Sequence, residues 1–327
     1  MTPLIKSDKV AQFFTVPSRD IMRPNDRTGL AIVLSLVALT LFDAMGLVIK
    51  HLSDSYSAAE LSAWRNLFGL IPSLVALALS QTWHRAGRQL SIRQWKLALA
   101  RGAFVTLAQL CFYLSLGMMA FATASTITYA NALFMTALAA PLLGERVGWM
   151  RWGAVLIGFV GVVLVIRPGT DTFSVTALLP LGAAAIYALA GVTARMMDDD
   201  VPSALVNLYS SVAALVGSGL IALGFGGFTP IHNGEDLVWI IAMGGFGGTA
   251  VLCLVISYRM AEQSTLAPFS YFGIPLAFVL GWVFFDETPW NTLFPGALLI
   301  AAGGLLIIWR ERRRDRVSGT RQNAEHG

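Results

Sequence analysis

Two charges stand inside apolar runs: Asp43 in LVALTLFDAMGLVIKHL and Arg65 in AAELSAWRNLFGLIPSLVAL. A charge in the middle of a membrane helix costs about 2.5–3.5 kcal/mol on insertion scales, so it goes with a partner or with a water-filled cavity. Asp43 lies about seven residues before the end of its run and Arg65 about seven after the start of the next. At 1.5 Å per residue both are about 10 Å deep. Consecutive antiparallel helices would bring them together as a charge pair lining a vestibule, opened by a solute or a proton. The other reading is a static bridge between two helices. Lys50 and Glu60, which flank the same hairpin, read as interface charges, and Arg101 reads as a base that snorkels to the headgroups.

A second set of polar groups lies in TASTITYANALFMTALAAP, which clusters Thr123, Thr126, Thr128, Tyr129 and Asn131. A later run answers with Thr265, Ser270 and Tyr271, together with Pro268 and Pro275. Proline frees a backbone carbonyl, which a membrane helix tolerates where it bends round a cavity. Tyr129, Asn131 and Tyr271 could hydrogen-bond the polar edge of a solute. Single serines and threonines are expected to satisfy their own helix or to join neighbours. Trp64 and Tyr113 are candidate walls against which a flat solute could stack.

Both sets belong to a duplication. Pro141 to Arg167 recurs as Phe284 to Arg310. A glutamate ends one apolar run (Glu145, Glu287), a glycine opens the next (Gly153, Gly296), and Gly161 and Gly304 precede Arg167 and Arg310 by the same distance. A shift of about 142 residues also lays Tyr129 on Tyr271. Such self-similarity is settled before any fold is considered.

The elements that must carry these residues are membrane helices. Charged residues make up 13% of the 327, against about 25% in soluble domains, and mean hydropathy is +0.66. Ten apolar runs are expected, near 29–50, 58–80, 97–116, 121–142, 150–167, 174–194, 203–224, 236–258, 265–284 and 292–309. They are continuously apolar rather than alternating, which excludes a β-barrel. The fold class is therefore an all-α integral membrane protein of ten transmembrane helices, in two inverted five-helix repeats. The basic residues explain the high pI as membrane anchoring and leave nucleic acid without a role. Cys111 and Cys253 lie inside runs, and the four histidines show no ligand spacing, so neither metal nor cofactor is expected.

Orientation follows from Lys and Arg. Lys6, Lys9, Arg19, Arg23 and Arg27 precede the first run, and Arg310, Arg312, Arg313, Arg314, Arg316 and Arg321 follow from the end of the last. Arg85, Arg88, Arg93, Lys96, Arg146, Arg151, Arg195 and Arg259 fall on the same side, against Lys50 and Arg167 on the other. Both termini are expected in the cytoplasm, in a bacterial inner membrane. Five runs per copy is an odd number, so the two copies must lie upside down to each other, the build of secondary transporters with a site at the seam.

The GER and DE ends of runs four and nine, the glycine-spaced runs five and ten with their closing arginines, and the opening pair around Asp43 and Arg65 resemble the ten-helix EamA branch of the drug/metabolite transporter superfamily. The resemblance covers 29–168 and 174–310, leaving 1–28 and 311–327 as cytoplasmic tails. It implies alternating-access transport of a small organic solute, and the opening pair looks most like members that handle riboflavin or S-adenosylmethionine. A coupling proton and a second copy of the chain are compatible partners. An enzyme of lipid or glycan metabolism would need an aqueous cluster of Asp, His or Arg. Asp198-Asp199-Asp200 has no second motif beside it, and no Gly-rich stretch ends in Gly-Lys-Ser/Thr to hold ATP.

Overall fold

The computed structural model describes residues 24–79, 83–84, 90, 93–144, 148–167, 175–197, 203–260, 266, 269, 271–306 and 309. Most of both tails, Glu145, the acidic run Asp198-Asp199-Asp200, Thr265, Pro268 and Ser270 lie outside them. The regular structure among the described residues is helical, and it follows the ten expected runs. Spans one to three are Pro24–Leu52, Ala58–Leu79 and Trp95–Met118. Span four comes in two pieces, Phe121–Thr128 and Asn131–Leu143, and span five is Trp149–Ile166. A 3₁₀ turn, Val175–Ala177, leads into span six, Leu178–Arg195, followed by Ser203–Gly224 and Gly234–Met260 as spans seven and eight. Span nine ends in Gly273–Phe285, and after a short turn, Trp290–Leu293, span ten runs over Gly296–Leu306. Six helices among the described residues are long and apolar enough to cross a bilayer. Span one begins at Pro24, inside the stretch expected as tail.

Eight spans close into a ring in the order one, eight, two, seven, three, six, four, nine, each packed on the next and the ninth on the first. The order interleaves the repeats. Span one packs on eight as span six packs on three, and span two packs on eight as span seven packs on three. Spans five and ten stand outside, where glycine lets backbones touch. A Cβ on Gly296 would come within 2.5 Å of the Gly161 carbonyl, and one on Gly303 within 2.7 Å of the backbone of Ala154 and Gly158. Gly153, which opens the run in the first copy as Gly296 does in the second, faces open space.

One end of the ring is filled. Val48, Ile49 and Leu52 from span one, Leu61 from two, Leu116 from three, Phe121 from four and Met243 from eight form one buried cluster there. At the opposite end the described residues show a small cluster around Ala98 and Leu205, joining neighbours rather than crossing the ring. The loop between spans seven and eight folds over the filled end. Thr229 N–H donates to Glu60 Oε1, His232 N–H donates to the Tyr56 hydroxyl at 3.2 Å, and that hydroxyl donates to Asp236 Oδ2 at 2.8 Å. Glu60, read from sequence as an interface charge, is 2% exposed and clamps this loop.

Candidate functional site

Spans four and nine are interrupted at equivalent positions. In span four Ala130 N–H turns to Ile127 O, three residues back, at 3.0 Å. In span nine Phe272 N–H turns to Phe269 O, again at 3.0 Å. A shift of 142 carries one bond onto the other. Such 3₁₀ bonds inside a membrane helix take a carbonyl out of the α ladder, here that of Thr126, which an interior cavity can tolerate. Each piece then ends in a left-handed cap: Gly144 at φ 68° and Asp286 at φ 53°. Glycine and aspartate are residue types that enter this region readily. The next residue is Glu145 in one copy and Glu287 in the other.

Tyr129 and Tyr271 stand at these interruptions and point into different places. A Cβ on Gly273, in span nine, would lie 1.6 Å from the Tyr129 hydroxyl, so this tyrosine crosses the seam between repeats. The Tyr271 hydroxyl instead abuts Gly304 of span ten and has no hydrogen-bond partner. Duplicated residues thus occupy unlike environments. Asn131, the third residue nominated here, opens the second piece of span four and is half-buried.

The expected pair of Asp43 and Arg65 does not form. The Arg65 guanidinium donates to Asn66 Oδ1 at 3.0 Å and reaches Met45 Sδ at 3.5 Å, while Asp43 Oδ2 is buried without a partner. Helix geometry gives the reason. Asp43 shares a face of span one with Gly46 and Lys50, turned to spans four and nine, whereas Met45 lies about 200° round the helix. Asp43 and Arg65 are 6% and 8% exposed.

The surrounding interior is polar and incompletely satisfied. Ser62 and Asn66 both donate to Gln109 Oε1 at 2.9 Å, tying span two to span three. Trp64 Nε1, the Tyr113 hydroxyl, Ser125 Oγ and Thr126 Oγ1 are buried without partners. Buried polar atoms are ordinarily paired, and a group of exceptions calls for water or a ligand. Trp64 stacks on Phe68 at 6.2 Å and meets Phe228 of the capping loop edge-on at 5.5 Å. Thr128 bonds its own helix at Ala124 O, the expected alternative for a lone threonine. Arg101 is half-buried, and its Nε is buried without a partner. The Ser62–Asn66–Gln109 network escaped the sequence reading because neutral polar residues at these spacings carry no signal of their own. Lys50 and Glu287 were underrated for a different reason. Each stands at a membrane edge, and only the fold shows that Lys50 Nζ lies 2.9 Å from Glu287 Oε1.

A seam between two five-span repeats, with equivalent helix interruptions beside buried, unpartnered polar atoms, is the architecture of a secondary transporter. The EamA-like transporter family matches residues 29–167 and 174–309, and the chain belongs to it. It is 30% identical over 174 residues to a riboflavin transporter of Rhizobium johnstonii, an alignment that covers 53% of this chain and 57% of that protein. It is 23% identical over 281 residues to an S-adenosylmethionine uptake transporter of Rickettsia felis, covering 86% of this chain and 92% of that one. A chain of known crystal structure shares the fold at TM-score 0.63 and 20% identity, with 86% of this chain and 98% of that chain aligned.

Proposed function

We propose that this protein carries a small heterocyclic vitamin or cofactor across a bacterial inner membrane by alternating access, with both termini in the cytoplasm. The observation that carries the reading is the matched interruption of spans four and nine, where the Tyr129 hydroxyl crosses the seam to Gly273 and Asp43 Oδ2, Ser125 Oγ and Thr126 Oγ1 are buried without partners. Trp64 and Tyr113 supply flat faces and Asn131 an amide for a planar, polar-edged solute. A riboflavin-like solute is the first candidate. The uncompensated acid and base at Asp43 and Arg65 favour a second, S-adenosylmethionine, which brings both a cationic centre and a carboxylate. Asp43 is also the group able to take up a coupling proton, since its Oδ2 is buried and accepts no hydrogen bond.

Thermal unfolding of detergent-purified protein against flavins, nucleoside cofactors, amino acids and sugars tests the solute class. A ligand bound by the native state raises the unfolding temperature in step with its excess over Kd. Stabilisation by riboflavin or S-adenosylmethionine, followed by uptake of the same compound into proteoliposomes, is the expected result. A response confined to sugars or aliphatic amino acids would overturn the solute class.

A further inference from the structure

Lys50 of span one sits at the filled end of the ring, where spans one, three, four and nine meet. Its Nζ pairs with Glu287 Oε1 of span nine at 2.9 Å and donates to the span-three carbonyl of Leu116 at 3.1 Å. A third bond, at 2.7 Å, goes to the Met119 carbonyl just beyond that span. Glu287 uses its other oxygen, Oε2, to accept the Phe121 N–H that opens span four, at 2.7 Å. The ammonium also lies 5.3 Å from the centre of the Phe285 ring. The cation therefore meets the carbonyl end of one helix, and the carboxylate meets the amide end of another, each on the side its charge favours. Directly inside lies the apolar cluster of Leu52, Leu116 and Phe121. Spans one, three and four belong to one repeat and span nine to the other, so this single ion pair ties the two repeats together across the closed mouth.

We infer that Lys50 and Glu287 form the latch that holds this mouth shut and must part for solute to pass. The inference rests on the transport reading above and adds the residues that alternate. Opening the mouth means moving span nine away from spans one and four. The bridge cannot survive that motion, because Glu287 follows directly on the cap of span nine while Lys50 stays with span one. The side chains are 14% and 21% exposed, dry enough to strengthen the pair and near enough to water to let it dissociate. The duplication writes Glu145 at the end of span four, the sequence position that answers Glu287 in the inverted copy.

The test places a reporter behind the latch. Ser125 is one helical turn inside Phe121, 5% exposed and without a hydrogen-bond partner. In full-length protein carrying Cys111→Ala, Cys253→Ala and Ser125→Cys, a membrane-impermeant maleimide is added from the face bearing Lys50 in oriented vesicles. Glu287→Gln and Lys50→Met should each raise the labelling rate at least fivefold, and the double variant no further, because both remove the same pair. Lys50→Arg, which keeps the charge, should stay at the slow parent rate. Thermal unfolding identifies any variant that has lost its fold, and Glu287→Gln, nearly isosteric, keeps the measurement available if Lys50→Met fails. Unchanged labelling in folded single variants overturns the latch, as does an additive effect in the double. Riboflavin and S-adenosylmethionine counterflow are measured in parallel on the parent. Silence there counts against the transport reading, whereas the labelling result bears on the latch alone.

Discussion

Asp43 holds a buried carboxylate oxygen that nothing donates to, and Arg65, on the next span, directs its donors to a neutral amide and a thioether. A buried charge of either sign is expensive without a partner, and each would gain most from a group that arrives and leaves. The expected outcome is that Asp43→Asn and Arg65→Gln each abolish solute uptake into proteoliposomes while protein yield and unfolding temperature hold. Asparagine and glutamine should hold the fold because they remove an uncompensated charge. Full uptake by either variant removes that residue from the pathway. Tyr129 gives a second test at this scale. Gly273→Ala puts a methyl where the tyrosine hydroxyl now lies, 1.6 Å from it, so the ring must swing away from the seam. Uptake should fall at least tenfold in Gly273→Ala, and Gly304→Ala, which displaces Tyr271 instead, reports whether the two tyrosines contribute equally. Unimpaired uptake in Gly273→Ala would show that the Tyr129 approach has no part in transport.

At the scale of helices, the sequence made some features plain and hid others. The glycines of spans five and ten were legible as part of the duplication, and in the fold Gly161 and Gly296 meet backbone to backbone. Filling that contact costs about 1–3 kcal/mol by overpacking. Gly296→Ala should therefore lower the unfolding temperature clearly, while Gly153→Ala, facing open space, should leave it unchanged. Equal unfolding temperatures for the two variants would refute this packing of spans five and ten. The interruption of span nine had a signal in its prolines, but that of span four did not. Its first half carries no proline, and a 3₁₀ turn at Ile127–Ala130 leaves no composition mark. Only the tyrosine match across 142 residues pointed to the place. The pairing of Asp43 with Arg65 misled because neighbouring runs in sequence do not say which faces meet: Asp43 shares a face with Gly46 and Lys50, whereas Arg65 reaches span one at Met45.

For the molecule as a whole, the repeat count forces a geometry. An odd number of spans in each copy inverts one against the other, and the ring shows the consequence as paired contacts: span one with eight answered by six with three, and two with eight answered by seven with three. The loop between spans two and three and the loop between seven and eight are therefore equivalent in sequence and must open on opposite faces. Arg93 lies in the first and is exposed, and Glu235, also exposed, opens the helix after the second. Single cysteines placed there, in protein lacking Cys111 and Cys253, should react with an impermeant maleimide from opposite sides. Positive charge gathers around Arg93 and is absent around Glu235, so Arg93→Cys should react only after the cells are opened and Glu235→Cys in intact spheroplasts. The two parts of that result separate cleanly. Reaction from opposite sides with the assignment reversed would keep the inverted repeat and turn the molecule over. Reaction of both from one side would mean an even number of crossings between them, and neither the ring of interleaved spans nor a solute site at its seam could then stand.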